Sequence, residues 1–383
     1  MTRKKINIED KSAIRDCTGC GACSVACPPK FNAISMDYDG NGFFRPSINM
    51  QRCTMCGKCP DVCYMFNEFA DEKPFEHANV LAVTNNFVDD TNLVTTAGVA
   101  TRLAKYFYNR EYNICGVKYD YTSDTVRHQI ADSLEDISDF RGSKYIPSNT
   151  EKAFERLLKE KRKSVVFGLP CQIYGLRKLI ERKSFADDFI LIDFFCSGIL
   201  SRNLWDKHLD YLRRNFSISK IKQINFKDKT QGWEKSSLYV EDVAGNSYRQ
   251  NRFNDMFYAF LLRRVPYQEA CYSCEFRETV VSSDIRLGDF WGPRYRGWND
   301  GVELVTLMNN KGKNAWNEIK GHFTYSTKSK EDLYESQGSG AMSKDVKKPL
   351  NYEQVLSALS SERYLEDIFS DLEIGSTPIS NGN

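Results

Sequence analysis

Cys17-Thr18-Gly19-Cys20-Gly21-Ala22-Cys23-Ser24-Val25-Ala26-Cys27-Pro28 and Cys53-Thr54-Met55-Cys56-Gly57-Lys58-Cys59-Pro60-Asp61-Val62-Cys63 decide how the first part of this chain folds. Both stretches read C-x2-C-x2-C-x3-C, the spacing of a bacterial two-cluster ferredoxin. In that arrangement each three-cysteine loop wraps one 4Fe–4S cube, and the fourth cysteine reaches across to the other cube. The spacing predicts Cys17, Cys20, Cys23 and Cys63 on cluster 1, and Cys53, Cys56, Cys59 and Cys27 on cluster 2. Gly19, Gly21, Ala22 and Gly57 are small enough to let the backbone fold tightly around a cube. Two zinc sites are the alternative, since C-x2-C pairs also bind zinc. Zinc closes with four ligands and has no use for an eight-cysteine register.

Outward from these runs, the chain has 383 residues, 41% of them hydrophobic, which suits two or three domains with sizeable cores. Lys+Arg 53 against Asp+Glu 51 leaves a net charge of +2, so a nucleic-acid partner has no support. No apolar run approaches the roughly 18–20 residues that span a bilayer. Residues 1–10 are charged and carry no apolar signal-peptide core. Thirteen cysteines without an export signal imply reduced thiols and metal ligation, hence a cytoplasmic protein. His77, His128, His208 and His322 form no cluster and are expected at the surface or hydrogen-bonded.

The expected fold class is mixed α/β: a ferredoxin-like module over residues 1–72, joined to a mixed-sheet domain. That domain divides into residues 78–163 and 164–312, followed over 313–383 by a helical extension and a disordered tail. In the module, residues 33–37 and 42–46 flank a turn and read as a hairpin. Residues 73–77 read as a linker. Helices are expected over 97–110, 151–163, 172–182 and 203–214, alternating with strands over 112–117, 164–167 and 189–195, the pattern of a parallel sheet. Residues 238–243 and 247–250 flank Ala244-Gly245-Asn246, a second hairpin. Residues 336–341 read as a loop, 352–372 as one helix, and 373–383 as a polar tail.

Five cysteines lie outside the module. Cys171 and Cys196 stand where expected parallel strands end, the edge at which such sheets bind ligands. Cys271 and Cys274 form a further C-x2-C pair. Together they offer four thiols, enough for a third cluster or a zinc site, although Cys171 and Cys196 also read as simple core. Cys115, on an apolar strand, reads as core.

Ser283-Asp284-Ile285-Arg286-Leu287-Gly288-Asp289-Phe290-Trp291-Gly292, following Cys271-Tyr272-Ser273-Cys274, resembles the C-terminal signature of the coenzyme F420 hydrogenase/dehydrogenase beta-subunit family. Gly168–Gln172, Gly142-Ser143-Lys144-Tyr145 and Phe226-Lys227-Asp228-Lys229 are similar to it as well. The likeness runs from the ferredoxin module to about residue 310. Members are iron–sulfur flavoproteins: deazaflavin-reducing subunits of hydrogenases and formate dehydrogenases, ferredoxin-dependent pigment reductases, and relatives associated with envelope polysaccharide synthesis. The resemblance implies FAD and a third 4Fe–4S cluster at Cys171, Cys196, Cys271 and Cys274. The family usually shows Ser-Gly-Gly where this chain has Thr95-Thr96-Ala97-Gly98.

Within that resemblance, Thr95, Thr96 and Gly98 at a helix start are candidates for the flavin phosphates. Gly142, Ser143 and Lys144 offer a turn, a hydroxyl and a cation, with Lys144 expected at the flavin N1–C2 edge. Gln172 is a hydrogen-bond donor to the ring or a cluster sulfur, and Asp289 and Trp291 are expected in the pocket wall. Lys144 and Asp289 are the expected catalytic groups. The implied activity passes electrons from ferredoxin, or another low-potential donor, through the clusters to FAD and on to a small organic acceptor. The alternative is an electron-transfer subunit of a larger complex, of the F420-oxidising or F420-reducing type, with no substrate of its own.

Overall fold

A computed structural model of the chain describes residues 6–9, 16–67, 74–85, 94–338, 341–343 and 346–374. Residues 1–5 and 10, read above for a signal peptide, lie outside the described residues. So do Lys73 of the expected linker, 339–340 of the expected loop and 375–383 of the expected tail. The cysteine runs fold as a duplicate. Gly21 (φ +79°) and Gly57 (φ +75°) each hold the left-handed conformation that starts a short helix, Ala22–Ala26 and Lys58–Val62. A side chain at either position is strained. Between the runs, β1 (Ile34–Tyr38) and β2 (Phe44–Ile48) form the expected antiparallel hairpin, with Tyr38 stacked on Phe44 across it.

The rest of the chain is built on one mixed sheet. Its strands are β3 (Asn79–Asn85), β4 (Asn113–Asp120), β5 (Thr125–Ile130), β6 (Ser148–Asn149), β7 (Ser164–Gly168) and β8 (Phe189–Phe194), then three from later in the chain. The intervening β9 (Ile221–Asp228), β10 (Ser237–Asp242) and β11 (Ser247–Asn251) form a separate antiparallel sheet. β12 (Ile285–Asp289), β13 (Glu303–Leu307) and β14 (Phe323–Lys328) return to the main sheet, whose order is β14-β3-β13-β12-β8-β7-β4-β5-β6. The central β12, β8, β7 and β4 run parallel, and antiparallel pairs extend the sheet on both sides.

Helices cover both faces, so the central strands β7 and β8 read as largely apolar runs, broken in β8 by Asp193. On one side, Leu103 and Phe107 of Val99–Tyr108 and Trp316 of Asn310–Ile319 pack on Ile114, Val165 and Ile192. On the other, Phe154, Leu157, Ile173 and Leu176 pack on Val166 and Leu191, and Ala22 of the ferredoxin module joins this core. Each such large side chain contributes about 1.5–3 kcal/mol by leaving water. Cys115 is fully buried in the same layer, as its apolar strand implied.

Four local expectations need correction. Pro74–His77 is a helical turn whose Phe75 is 1% exposed in the core, so the segment is anchored where a linker was expected. His128 and His208 are buried. His128 shares the inward face of β5 with Val126 and Ile130, and His208 lies one turn beyond Leu204. Ser336 and Gln337 end the helix Lys330–Gln337 and do not belong to a loop. The single helix expected over 352–372 is two, Tyr352–Leu359 and Leu365–Asp371, and the helical extension also supplies β14.

Candidate iron–sulfur and cofactor site

Burial raises the Cys63 pKa, and the neighbouring charges of Cys20 and Cys17 raise it further. Cys23 is raised in the same way by burial and then by Cys20, Cys17 and Cys63. The fourth cysteine of the second run therefore lies with the first run's loop. Conversely, Cys27 lines one cavity with Cys53, Cys56 and Cys59. Cys63 thus neighbours thiols of the first run, and Cys27 those of the second. Hydrogen-bond donors already face the sulfurs: Gly19 N–H donates to Cys17 Sγ and Ala33 N–H to Cys27 Sγ, both at 3.3 Å. Among the described residues, no three His, Cys, Asp or Glu side chains close around a single metal ion. Thiolates on one tetrahedral zinc stand about 3.8 Å apart, from Zn–S bonds of about 2.3 Å. A cube seats each thiolate on its own iron, and two runs of four cysteines supply the eight thiolates that two cubes need.

The second group of thiols is assembled from distant segments. β7 delivers Cys171 to the start of the helix Pro170–Ile180. The parallel neighbour β8 ends two residues before Cys196. The turn Glu269–Cys271 and the residues after it supply Cys271 and Cys274. Burial raises the Cys171 pKa most, followed by the charges of Cys20, Cys196, Cys274 and Cys271. Burial pushes Cys196 up to about 11, with Cys274 adding to it. The four thiols are near enough for Cys171 to feel the charges of the other three, and of Cys20 in the ferredoxin module. Tyr64 stands between the two groups, within reach of the charges of Cys274, Cys17, Cys171 and Cys63. Its hydroxyl donates to the Asp16 carbonyl, and its ring packs on Phe276, itself against Tyr174. Unligated, such desolvated thiols stay protonated. Iron reverses that by supplying positive charge to the thiolates.

The flavin candidates fall largely in one region. Thr95 Oγ1 lies 3.5 Å from Ser143 Oγ, which joins the helix start to the Gly142 turn (φ +78°). Asn225, beside that turn, accepts the Lys227 N–H at 3.0 Å. The buried Lys227 ammonium donates to Asp289 Oδ2 at 2.5 Å and sits 5.3 Å from the Trp291 ring centre. Asp289 Oδ1 accepts from Trp233 Nε1 at 2.9 Å, and Trp233 stacks on Trp291 at 4.5 Å between centroids, 2° from parallel. Asp289 pairs in register with Glu303 on β13. Glu303 Oε2 accepts the Val99 N–H at 3.1 Å, so a carboxyl already caps the helix start, beside Thr96 and Gly98.

Two candidates have other partners. Lys144 Nζ donates to the carbonyls of Asp139, Phe140, Arg141 and Gly142 at 2.8–3.3 Å, closing the end of the helix Leu134–Asp139. Desolvation pulls its pKa down to about 7. Gln172 Oε1 accepts the Leu169 N–H at 2.9 Å, and its Nε2 donates to Ser148, which fixes the turn that presents Cys171.

The family model for the C terminus of the coenzyme F420 hydrogenase/dehydrogenase beta subunit matches residues 161–332, the span holding Cys171, Cys196, Cys271, Cys274, Lys227 and Asp289. The model described as "4Fe-4S dicluster domain" matches residues 16–65, with all eight N-terminal cysteines. Residues 161–332 thus carry the C-terminal domain of the coenzyme F420 hydrogenase/dehydrogenase beta-subunit family, and residues 16–65 a 4Fe–4S dicluster domain. These two matched domains make it an iron–sulfur electron-transfer protein of the oxidoreductase class. Among solved structures it is similar to a chain of the F420-reducing NiFe hydrogenase complex from Methanosarcina barkeri, at 18% identity and a TM-score of 0.45, over 77% of this chain and 90% of that one. No curated protein matches. Among the described residues no helix is long and apolar enough to cross a membrane.

Sequence reasoning missed several residues of this site. Lys227 lies in a motif that carried the resemblance but no role. Trp233 and Glu303 had no local signal, because only strand pairing brings them to Asp289. Tyr64 follows Cys63 directly, and its place between two thiol groups depends on how the module docks.

Proposed function

We propose that this chain is an iron–sulfur flavoprotein oxidoreductase. It takes single electrons from a low-potential donor of the ferredoxin kind, carries them inward through three 4Fe–4S sites, and reduces a small organic acceptor at an FAD face. Residues 1–72 serve as the entry module, and a reducing compartment such as the cytoplasm suits the free thiols. The observation that carries this reading is the convergence of Cys171, Cys196, Cys271 and Cys274 beside Cys20. A lone buried cysteine is ordinary core, but four from three distant segments at one locus are a ligand set.

When bound, the cubes carry one electron at a time, and a flavin pairs two for hydride delivery. The chain's own residues hold and insulate. Cys171, Cys196, Cys271 and Cys274 hold the third cube, while Tyr64, Tyr174 and Phe276 exclude water between it and cluster 1. Phe195, next to Cys196, packs on Gly288, one residue from Asp289, and so joins the thiols to the flavin face. Thr95, Thr96, Gly98, Gly142 and Ser143 line the phosphate end, and Trp291 on Trp233 offers a flat apolar wall. Lys227, held by Asp289, supplies the cation at that wall.

Anaerobically purified protein is expected to show flavin absorption and about twelve iron atoms per chain, and Cys274→Ser to lose about four while sparing the N-terminal pair. Iron unchanged by that substitution overturns the third site. Reduction of a co-purified protein, with no turnover of any small acceptor, overturns the self-contained enzyme in favour of a subunit role.

A further inference from the structure

Among the described residues, two buried arginines follow the last of the four thiols, and only Arg286 has a carboxylate partner. Arg286 is bidentate to Asp193, through Nε at 2.8 Å and Nη2 at 2.7 Å. Arg277, three residues after Cys274, is 2% exposed. Its Nη2 donates to the Ser197 carbonyl at 2.6 Å and its Nη1 to the Ser343 carbonyl at 3.4 Å. Its Nε has no partner among the described residues. Arg277 thus ties the loop after Cys196 to the segment after Cys274, while its charge and one donor stay uncompensated. A buried guanidinium in that state is strongly unfavourable unless an anion faces it. The groups beside it are Cys196, Cys271 and Cys274, all of which feel its positive charge.

We propose that Arg277 is the counter-charge of the third iron–sulfur site, a positioning residue that donates its free Nε–H to the thiolate-bound cube and raises that cube's reduction potential. This rests on the reading that Cys171, Cys196, Cys271 and Cys274 hold a cube. The step concerned is the transfer of one electron, from a reduced cluster-1 cube that is thereby oxidised to the third cube that is thereby reduced; no bond forms or breaks. The reduced cube is the more negative one, so nearby positive charge and hydrogen bonds to sulfur favour it. Arg286 contributes less, because Asp193 offsets its charge at contact. Glu275, beside Cys274, acts in the opposite sense. Arg277 therefore makes the third cube the favoured resting place for an electron that has passed Tyr64.

The test is an EPR-monitored redox titration of the full chain, purified without oxygen, with iron counted in each sample. Arg277→Gln should keep about twelve iron atoms per chain, lower the potential of the third cube and leave the other two unmoved. Arg277→Lys, which keeps the charge and loses the fork, should fall between the two. Equal potentials in unsubstituted protein and Arg277→Gln, or in Arg277→Gln and Arg277→Lys, overturn the assignment. In case Arg277→Gln loses the cube, a second measurement uses the unsubstituted chain labelled with 15N-arginine. Pulsed EPR of the reduced third cube should show a nitrogen coupling that Arg277→Lys abolishes. No coupling, or one that survives the substitution, overturns it. About eight iron atoms in the unsubstituted chain sinks the third site itself and this role with it. About twelve with an unmoved potential sinks the role of Arg277 alone.

Discussion

Asp193 interrupts the apolar run of β8, and on sequence alone it reads as an oddity inside a buried strand. Its partner lies 93 residues away, opposite it in register on the neighbouring parallel strand β12. Arg286 forms a two-pronged bond to that carboxylate and donates its remaining nitrogen to the Phe276 carbonyl at 3.0 Å. The pair thus fixes the strand pairing and the chain just after Cys274 together. Buried pairs of this kind add little net stability, but stripping one partner leaves a naked charge. Arg286→Met should lower stability by about 3–5 kcal/mol, while Asp193→Leu combined with Arg286→Met should recover most of the loss. Thermal unfolding of both proteins checks this, and equal losses in the two would show that shape rather than charge governs the position.

Among the elements, the helix Val99–Tyr108 shows how a local signal and a distant partner combine. Its period was legible from Val99, Leu103 and Phe107, and Gly98 (φ +80°) begins it as a residue without a side chain should. Its cap was not legible, because Glu303 comes from β13 on the far side of the chain. Desolvation lifts the Glu303 carboxyl from 4.5 to about 7, with the Asp289 charge adding to it, while the bonds from Val99 and Thr96 work the other way. The native state therefore keeps this proton up to about pH 7, whereas the unfolded chain releases it near 4.5. Folding loses stability from this group as pH rises between those values, by on the order of 3 kcal/mol, and the loss is constant above them. Glu303→Gln removes the slope, so the variant should gain on the unsubstituted protein from about pH 4.5 to 7 and then hold level. Melting temperatures against pH, taken as the difference between the two proteins, measure it. Strands and helices with strong periods were legible to within a few residues, as were both hairpins. The edges of the sheet were not: β3, β13 and β14 pair across more than two hundred residues, and no local pattern encodes that choice. The break between Tyr352–Leu359 and Leu365–Asp371 was hidden because the apolar spacing continues through it.

At the scale of the whole molecule, the ferredoxin module is seated on the helix Pro170–Ile180. A Cβ at Gly175 would come within 2.7 Å of Ala22 Cβ and 3.3 Å of Cys20 Sγ. Thr150 Oγ1 donates to the Cys20 carbonyl at 2.8 Å, and Gln268 Nε2 to the Cys17 carbonyl at 2.5 Å. The main-sheet domain thus grips the module by the loop over residues 17–23. Gly175→Leu should force the two apart while leaving the iron count as it was. EPR of the fully reduced protein should then show weaker magnetic interaction between cubes, and an unaltered spectrum would refute this account of the seating. The eight-cysteine register was legible at once because chemistry dictates its spacing. The seating was not, since it depends on one missing side chain.

The crossed cysteines also decide how the protein fails. Cys56 is exposed, so oxidants meet the outer cube first. In the proposed ligation that cube would be gripped by Cys27, which closes the helix Ala22–Ala26 of the inner loop, and Cys63 would tie the outer loop back to the inner cube. With the proposed crossed ligands, corrosion at the surface would therefore slacken the loop of the buried cube as well.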